Sequence, residues 1–149
     1  MGAKTDLTDA LRAAMREKDD TSKNAIRLAL SSIKLAEIEK GEDLEDVEIF
    51  SILHKEIKTR EETIAEAVNA GREGMIIPLD NEIKVLKAFL PSELTDDELA
   101  KEINKVISNL NATTIKQMGM VMKVVIENVQ GRASNDRISK ITRSLLQPE

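Results

Sequence analysis

The sequence predicts an all-α protein, an N-terminal helical bundle organised around one long helix and followed by a small C-terminal three-helix bundle. Three observations lead there. Apolar residues recur at three-, four- and seven-residue steps along most of the chain, no run of strict alternation interrupts them, and glycine, proline and capping residues fall at the ends of the periodic segments. With 149 residues, 41% hydrophobic and 33% charged, the chain has enough apolar matter for a core and the length of one ordinary domain or two small ones.

Leu7, Leu11 and Met15 outline a first amphipathic helix, interrupted near Asp19 and Asp20. A second spans about 22–39, with Ile26, Leu30 and Ile33 on one face and Leu28, Leu35 and Ile38 on another. A helix apolar on two sides is expected to be central, and Gly41 ends it where a left-handed residue is wanted. Arg27, inside that helix, is expected to pair with a carboxylate and hold helices in register.

The long helix covers about 46–70 through Val47, Phe50, Leu53, Ile57, Ile64 and Val68, roughly 36 Å at 1.5 Å per residue. Gly71 and Gly74 punctuate the chain, and Pro78 is expected to precede a short helix through Ile83, Leu86, Phe89 and Leu90 that stops at Pro91. The Pro91–Ser92 junction is the expected boundary, dividing the chain into 1–91 and 92–149.

Beyond it, Thr95 and Glu98 have the spacing of a capping box, in which each side chain satisfies a backbone N–H at the helix start. That helix carries Leu99, Ile103, Val106, Ile107 and Leu110 and closes at Asn111. Thr113 or Thr114 caps the next, with Ile115, Met118, Met122, Val125 and Val129 inward. Gly131 breaks the chain again, and Ser134 caps a last helix with Ile138, Ile141 and Leu145 as its core stripe.

Several function classes are excluded. Zero Cys removes disulfides, thiolate metal sites and a cysteine nucleophile, and one histidine, His54, cannot build a multi-histidine metal centre. No phosphate loop, dinucleotide fingerprint, nucleophile elbow or zinc-protease motif occurs. His54 has Lys55 and Lys58 as near neighbours on its helix, which makes it a poor proton acceptor and a plain helix-surface residue. The expectation is a chain without catalysis of its own, without cofactor and without metal. No 18-residue apolar run or leader pattern is present, and the protein is expected to be soluble and cytoplasmic.

The net charge of -5 is unevenly spread: residues 105–149 hold seven basic and three acidic residues, a net of +4, and the remainder carries -9. Lys116 and Lys123 share a helix face, Arg132 follows the Gly131 break, and Arg137 and Lys140 lie three apart on the last helix. Ser134 and the helix start beside Arg132 suit a phosphate. These six residues, Lys116, Lys123, Arg132, Ser134, Arg137 and Lys140, form the candidate anion or nucleic-acid face; a merely solvated basic face is the alternative. Zero Trp, zero Tyr and two Phe leave no platform for stacking unpaired bases. Met120 is an apolar residue on the same outer face as Lys116 and Lys123.

Taken in order, these segments resemble the GatB/YqeY family, specifically its stand-alone YqeY-like proteins. The resemblance is carried by Ala25-Ile26-Arg27-Leu28-Ala29-Leu30, Lys55-Glu56-Ile57-Lys58-Thr59-Arg60, Ala70-Gly71-Arg72, Glu82 through Phe89-Leu90-Pro91, and Leu94-Thr95. Its most specific parts are Met118-Gly119-Met120-Val121-Met122-Lys123 and Gln130-Gly131-Arg132-Ala133. It implies a two-part helical fold and kinship with the tail of one subunit of the glutamine-dependent amidotransferase that amidates misacylated tRNA, a tail associated with holding tRNA. The carbon–nitrogen ligase chemistry of that enzyme resides in parts with no counterpart here. The family pattern reads Met-Gly-Lys-Val-Met, and Met120 stands where that lysine would be.

The resemblance therefore implies an accessory that binds tRNA and has amidotransferase subunits or an aminoacyl-tRNA synthetase as partners. The alternatives are a protein-interaction adaptor using the acidic helix at 46–70, and a free-standing amide-transfer enzyme.

Overall fold

The computed structural model describes residues 2–148, which among themselves form seven α-helices and no strand. These divide into two compact units, Met1–Leu90 and Pro91–Glu149.

In the first unit α1 (Ala3–Glu17), α2 (Asp20–Lys40), α3 (Asp46–Asn69) and α4 (Ile76–Lys87) surround one core. Local chemistry sets their ends. Asp19 accepts the Ser22 N–H at the start of α2, and Gly41, at φ 83°, closes it. Glu45 and Glu48 form a reciprocal cap at the start of α3. Pro78 lies inside the first turn of α4 and not before it, because N–H groups in a first turn lack an intrahelical acceptor and proline forfeits nothing there. The helix ends at Lys87, ahead of Phe89 and Leu90, which pack half-buried against the core.

Leu7, Ile26, Ile33, Ile49, Leu53 and Leu86 are fully buried, each contributing about 1.5–3 kcal/mol of burial. The inward side of α3 is Ile49, Leu53, Ile57, Arg60 and Ala67, while Val68 is exposed. On α1, Ala14 and not Met15 faces the core.

Two expectations about α2 are corrected. Its face bearing Ile26, Ala29 and Ile33 is buried, yet Leu28, Leu35 and Ile38 are exposed, so the helix is apolar on two sides but covered on one. Arg27 is exposed and has no ion-pair partner among the described residues. The buried cation among the described residues of this unit is Arg60 of α3, which pairs with the carboxylate of Glu82 on α4.

In the second unit α5 (Asp96–Leu110), α6 (Met118–Val129) and α7 (Asn135–Leu145) pack mutually around Leu99, Ile103, Val121, Val125 and Ile138. The Thr95–Glu98 capping box opens α5 and Asn111, at φ 54°, closes it. Thr114 caps a short 3-10 turn at Ile115–Gln117 that leads into α6. The innermost residues of α6 are Val121, Val125 and Val129, with Met118 and Met122 half-buried beside them. On α7 the inward position is taken by Thr142, and Leu145 is exposed. Gln147 is stitched to the turn before α6 by the Ile115 N–H to its carbonyl at 2.8 Å and its own N–H to the Thr113 carbonyl at 3.0 Å.

Candidate nucleic-acid interface

Arg132 and Arg137 are positioned by the reversal between α6 and α7. Gln130 and Gly131 both take left-handed backbone angles, φ 50° and 81°, and turn the chain so that the Arg132 carbonyl accepts the Leu94 N–H at 2.8 Å. Glycine suits the second of these positions because no Cβ opposes positive φ. Ser134 then caps α7, its Oγ accepting the Arg137 N–H at 3.2 Å.

Two arginines hold this turn to the segment ahead of α5. Arg132 donates Nε–H to the Ser92 carbonyl at 3.0 Å. Arg137 donates from Nη2 to the Leu94 carbonyl at 2.9 Å and to Asp96 at 2.7 Å, with Glu93 at 3.9 Å from Nη1. Arg137 is thus engaged within its own unit, about a quarter exposed, and its partners lie more than forty residues earlier in the chain. Arg132 is exposed and spends only Nε on the protein; no hydrogen-bond partner for its terminal nitrogens is found among the described residues.

The other three cations of the candidate face are outward. Lys123 is exposed and has no ion pair among the described residues. Lys116 is exposed on the 3-10 turn before α6 and not on the helix that carries Lys123, while Met120, 52% exposed, precedes Lys123 by three residues on α6. Lys140 is exposed and 3.1 Å from Asp136 one turn back, a surface contact that holds it weakly.

A cavity of about 380 Å³ opens beside Arg132, lined by Leu94, Val129, Asn128, Lys101, Lys105, Glu98 and Glu102. It joins Arg132 to Lys101 and Lys105, two α5 cations outside the six residues expected from sequence. Their one-turn spacing was the available signal, but only the packing of α5 against the end of α6 shows that Arg132 meets them. Glu98, on this rim, has its carboxyl held below the usual range by the Thr95 backbone N–H first and the Thr95 hydroxyl second, with smaller contributions from the charges of Arg132 and Lys101. Lys105 is 3.7 Å from Glu102. Acids and bases therefore alternate along the cavity, which makes it a mixed polar rim and not a concentrated anion hole.

The six predicted residues fall into two kinds. Ser134 is a helix cap and Arg137 a tie within the unit; Lys116, Lys123, Arg132 and Lys140 present charge to solvent. Among the described residues no group of His, Asp or Glu is arranged to hold a metal ion, and no helix is long and apolar enough to cross a membrane.

Comparison with known proteins places the chain in a family. The chain is 38% identical over 84 residues to Altered inheritance of mitochondria protein 41, mitochondrial, of Kluyveromyces lactis, covering 56% of this chain and 45% of that protein. The protein of the same name from Lachancea thermotolerans is 34% identical over 112 residues, 74% of this chain and 58% of that one. The one from Vanderwaltozyma polyspora is 30% identical over 132 residues, 87% and 68%. The chain thus spans about half the length of the first two relatives. Their names overturn the expectation of a cytoplasmic protein: these relatives are mitochondrial, and neither the lack of cysteine nor the lack of an apolar span distinguishes one aqueous compartment from another. A match to the profile of the Yqey-like protein family extends over residues 4–146, and the chain belongs to that family.

Proposed function

We propose that this protein is a non-catalytic accessory that binds tRNA through the basic face of its second unit. The observation that carries the reading is the outward set Lys116, Lys123, Arg132 and Lys140, drawn from a segment of net charge +4 in a chain of net charge -5. Phosphate contacts from lysine and arginine give affinity without sequence information, which suits recognition of a folded RNA by shape. The lack of exposed aromatics disfavours single strands, whose bases need a stacking partner. Resemblance to the amidotransferase tail points to tRNA as the RNA, and to amidotransferase subunits or an aminoacyl-tRNA synthetase as protein partners. Met120 replaces one cation of the family pattern, so affinity rests on the four that remain.

The test is tRNA binding by the full chain carrying Lys123→Ala, Arg132→Ala and Lys140→Ala together, against a control carrying Lys55→Ala and Lys87→Ala, exposed lysines of the first unit. Arg132 gives up one exposed hydrogen bond, about 1 kcal/mol, so the triple variant still folds. The reading requires the triple variant to lose binding while the control retains it. Equal loss in both sets would remove the assignment of this face.

A further inference from the structure

The outer face of α2 is uncovered by the described residues of its own unit. Leu28, Leu35 and Ile38 are exposed by 53%, 63% and 67%, on the side of the helix opposite the buried Ile26, Ala29 and Ile33. Their spacing of seven and then three is that of a heptad seam, with Leu28 and Leu35 at one core position, Ile38 at the other, and Asn24 and Ser31 at the preceding turns of the second. We propose that this face is the seam of a parallel homodimer, in which α2 of one copy lies along α2 of a second.

Charge selects both the partner and its direction. Arg27 and Lys34 flank the seam on one edge and Glu39 flanks it on the other. None of the three has an ion pair among the described residues, whereas their neighbours Lys23, Glu37 and Lys40 are each paired within the chain. In a parallel pair of helices one edge of each copy meets the opposite edge of the other, five residues further on. Lys34 then faces Glu39 of the second copy, twice by symmetry. An antiparallel pair brings like edges together, setting Arg27 and Lys34 against the same cations of the second copy, which repels.

The seam is short, about 21 Å from Asn24 to Ile38, and two of its core positions are polar. With only Leu28, Leu35 and Ile38 as apolar core positions, the association is weak and shows itself at raised protein concentration.

Sedimentation equilibrium on the full chain reads this directly. The weight-average mass should rise above the 16.5 kDa of one chain as concentration increases. Lys34→Glu, which sets two carboxylates against each other twice, should weaken association about tenfold, and Lys34→Glu with Glu39→Lys should restore it. Because the chain has no cysteine, Leu35→Cys supplies a second reading: across a parallel seam it faces itself and should form a disulfide-linked dimer much faster than Lys55→Cys, an exposed position off the seam. A protein that stays monomeric at every concentration overturns the proposal. So does a double charge swap that fails to recover association.

Discussion

Arg60 of α3 and Glu82 of α4 are joined by an Nε–H to Oε1 hydrogen bond of 2.9 Å in which the arginine side chain is only 8% exposed. The same guanidinium donates from Nη1 to the Glu56 carbonyl at 2.9 Å and to its carboxylate at 3.3 Å. A cation taken this far out of water needs each of these acceptors, so the pair fixes how α3 and α4 meet.

Removing Glu82 leaves the buried charge with Glu56 alone. Glu82→Ala should therefore destabilise the protein by about 1.5–3 kcal/mol, the range for a hydrogen bond to a charged group, and Arg60→Met, which removes the charge and keeps the apolar stem, by less. Arg27→Ala, at an exposed site without a partner, should stay within about 0.5 kcal/mol. Urea titrations of the three variants measure this; an Arg27 effect as large as that of Glu82 would contradict it.

Thr142 is fully buried in the second core, and its hydroxyl finds no hydrogen-bond partner among the described residues. An unsatisfied buried hydroxyl costs about 1–3 kcal/mol, and valine has nearly its shape without the polar atom. Thr142→Val should stabilise the fold by about 1 kcal/mol, read as a higher midpoint in thermal unfolding. A loss of stability would show that the hydroxyl is engaged.

Glu37 ties three segments together. Its carboxylate accepts from Lys4 Nζ at 2.7 Å and from the Leu44 N–H at 3.1 Å. The hydrogen bond from Lys4, and after it the one from Leu44, holds its pKa below the ordinary 4.5. A carboxylate depressed on folding contributes stability above its unfolded pKa and loses that contribution as pH falls through the folded value. Asp19, Glu48 and Glu98 shift in the same direction, so stability should decline as pH is lowered past the usual carboxylate range. Glu37→Gln should lower stability at neutral pH and make the acid decline shallower. Unfolding midpoints across that range check the sign, and parallel curves for the two proteins would refute it.

Helix ends were legible in the sequence because their chemistry is local: Gly41, Asn111, the Thr95–Glu98 box and Ser134 each act within a turn of their own position. What periodicity cannot tell is which of two apolar stripes is covered. On α2 both were visible, and only the placement of α1, α3 and α4 leaves Leu28, Leu35 and Ile38 in solvent. Thr142 escaped notice for the opposite reason, a polar residue in an inward position. At the candidate site the exposure of Lys123 and Lys140 could be read from helix spacing, but the engagement of Arg137 could not, since Glu93, Leu94 and Asp96 reach it only through the packing of α5 against α7.

The most direct test of the tRNA reading is the salt dependence of binding by the unmodified protein. With three or four phosphates met by Lys116, Lys123, Arg132 and Lys140, log K should fall against log salt with a slope of roughly -2.7 to -3.6 on duplex stems. Folded tRNA should compete better than a single strand of equal length. Absence of binding at low salt, or an affinity that does not change with salt, would contradict the account.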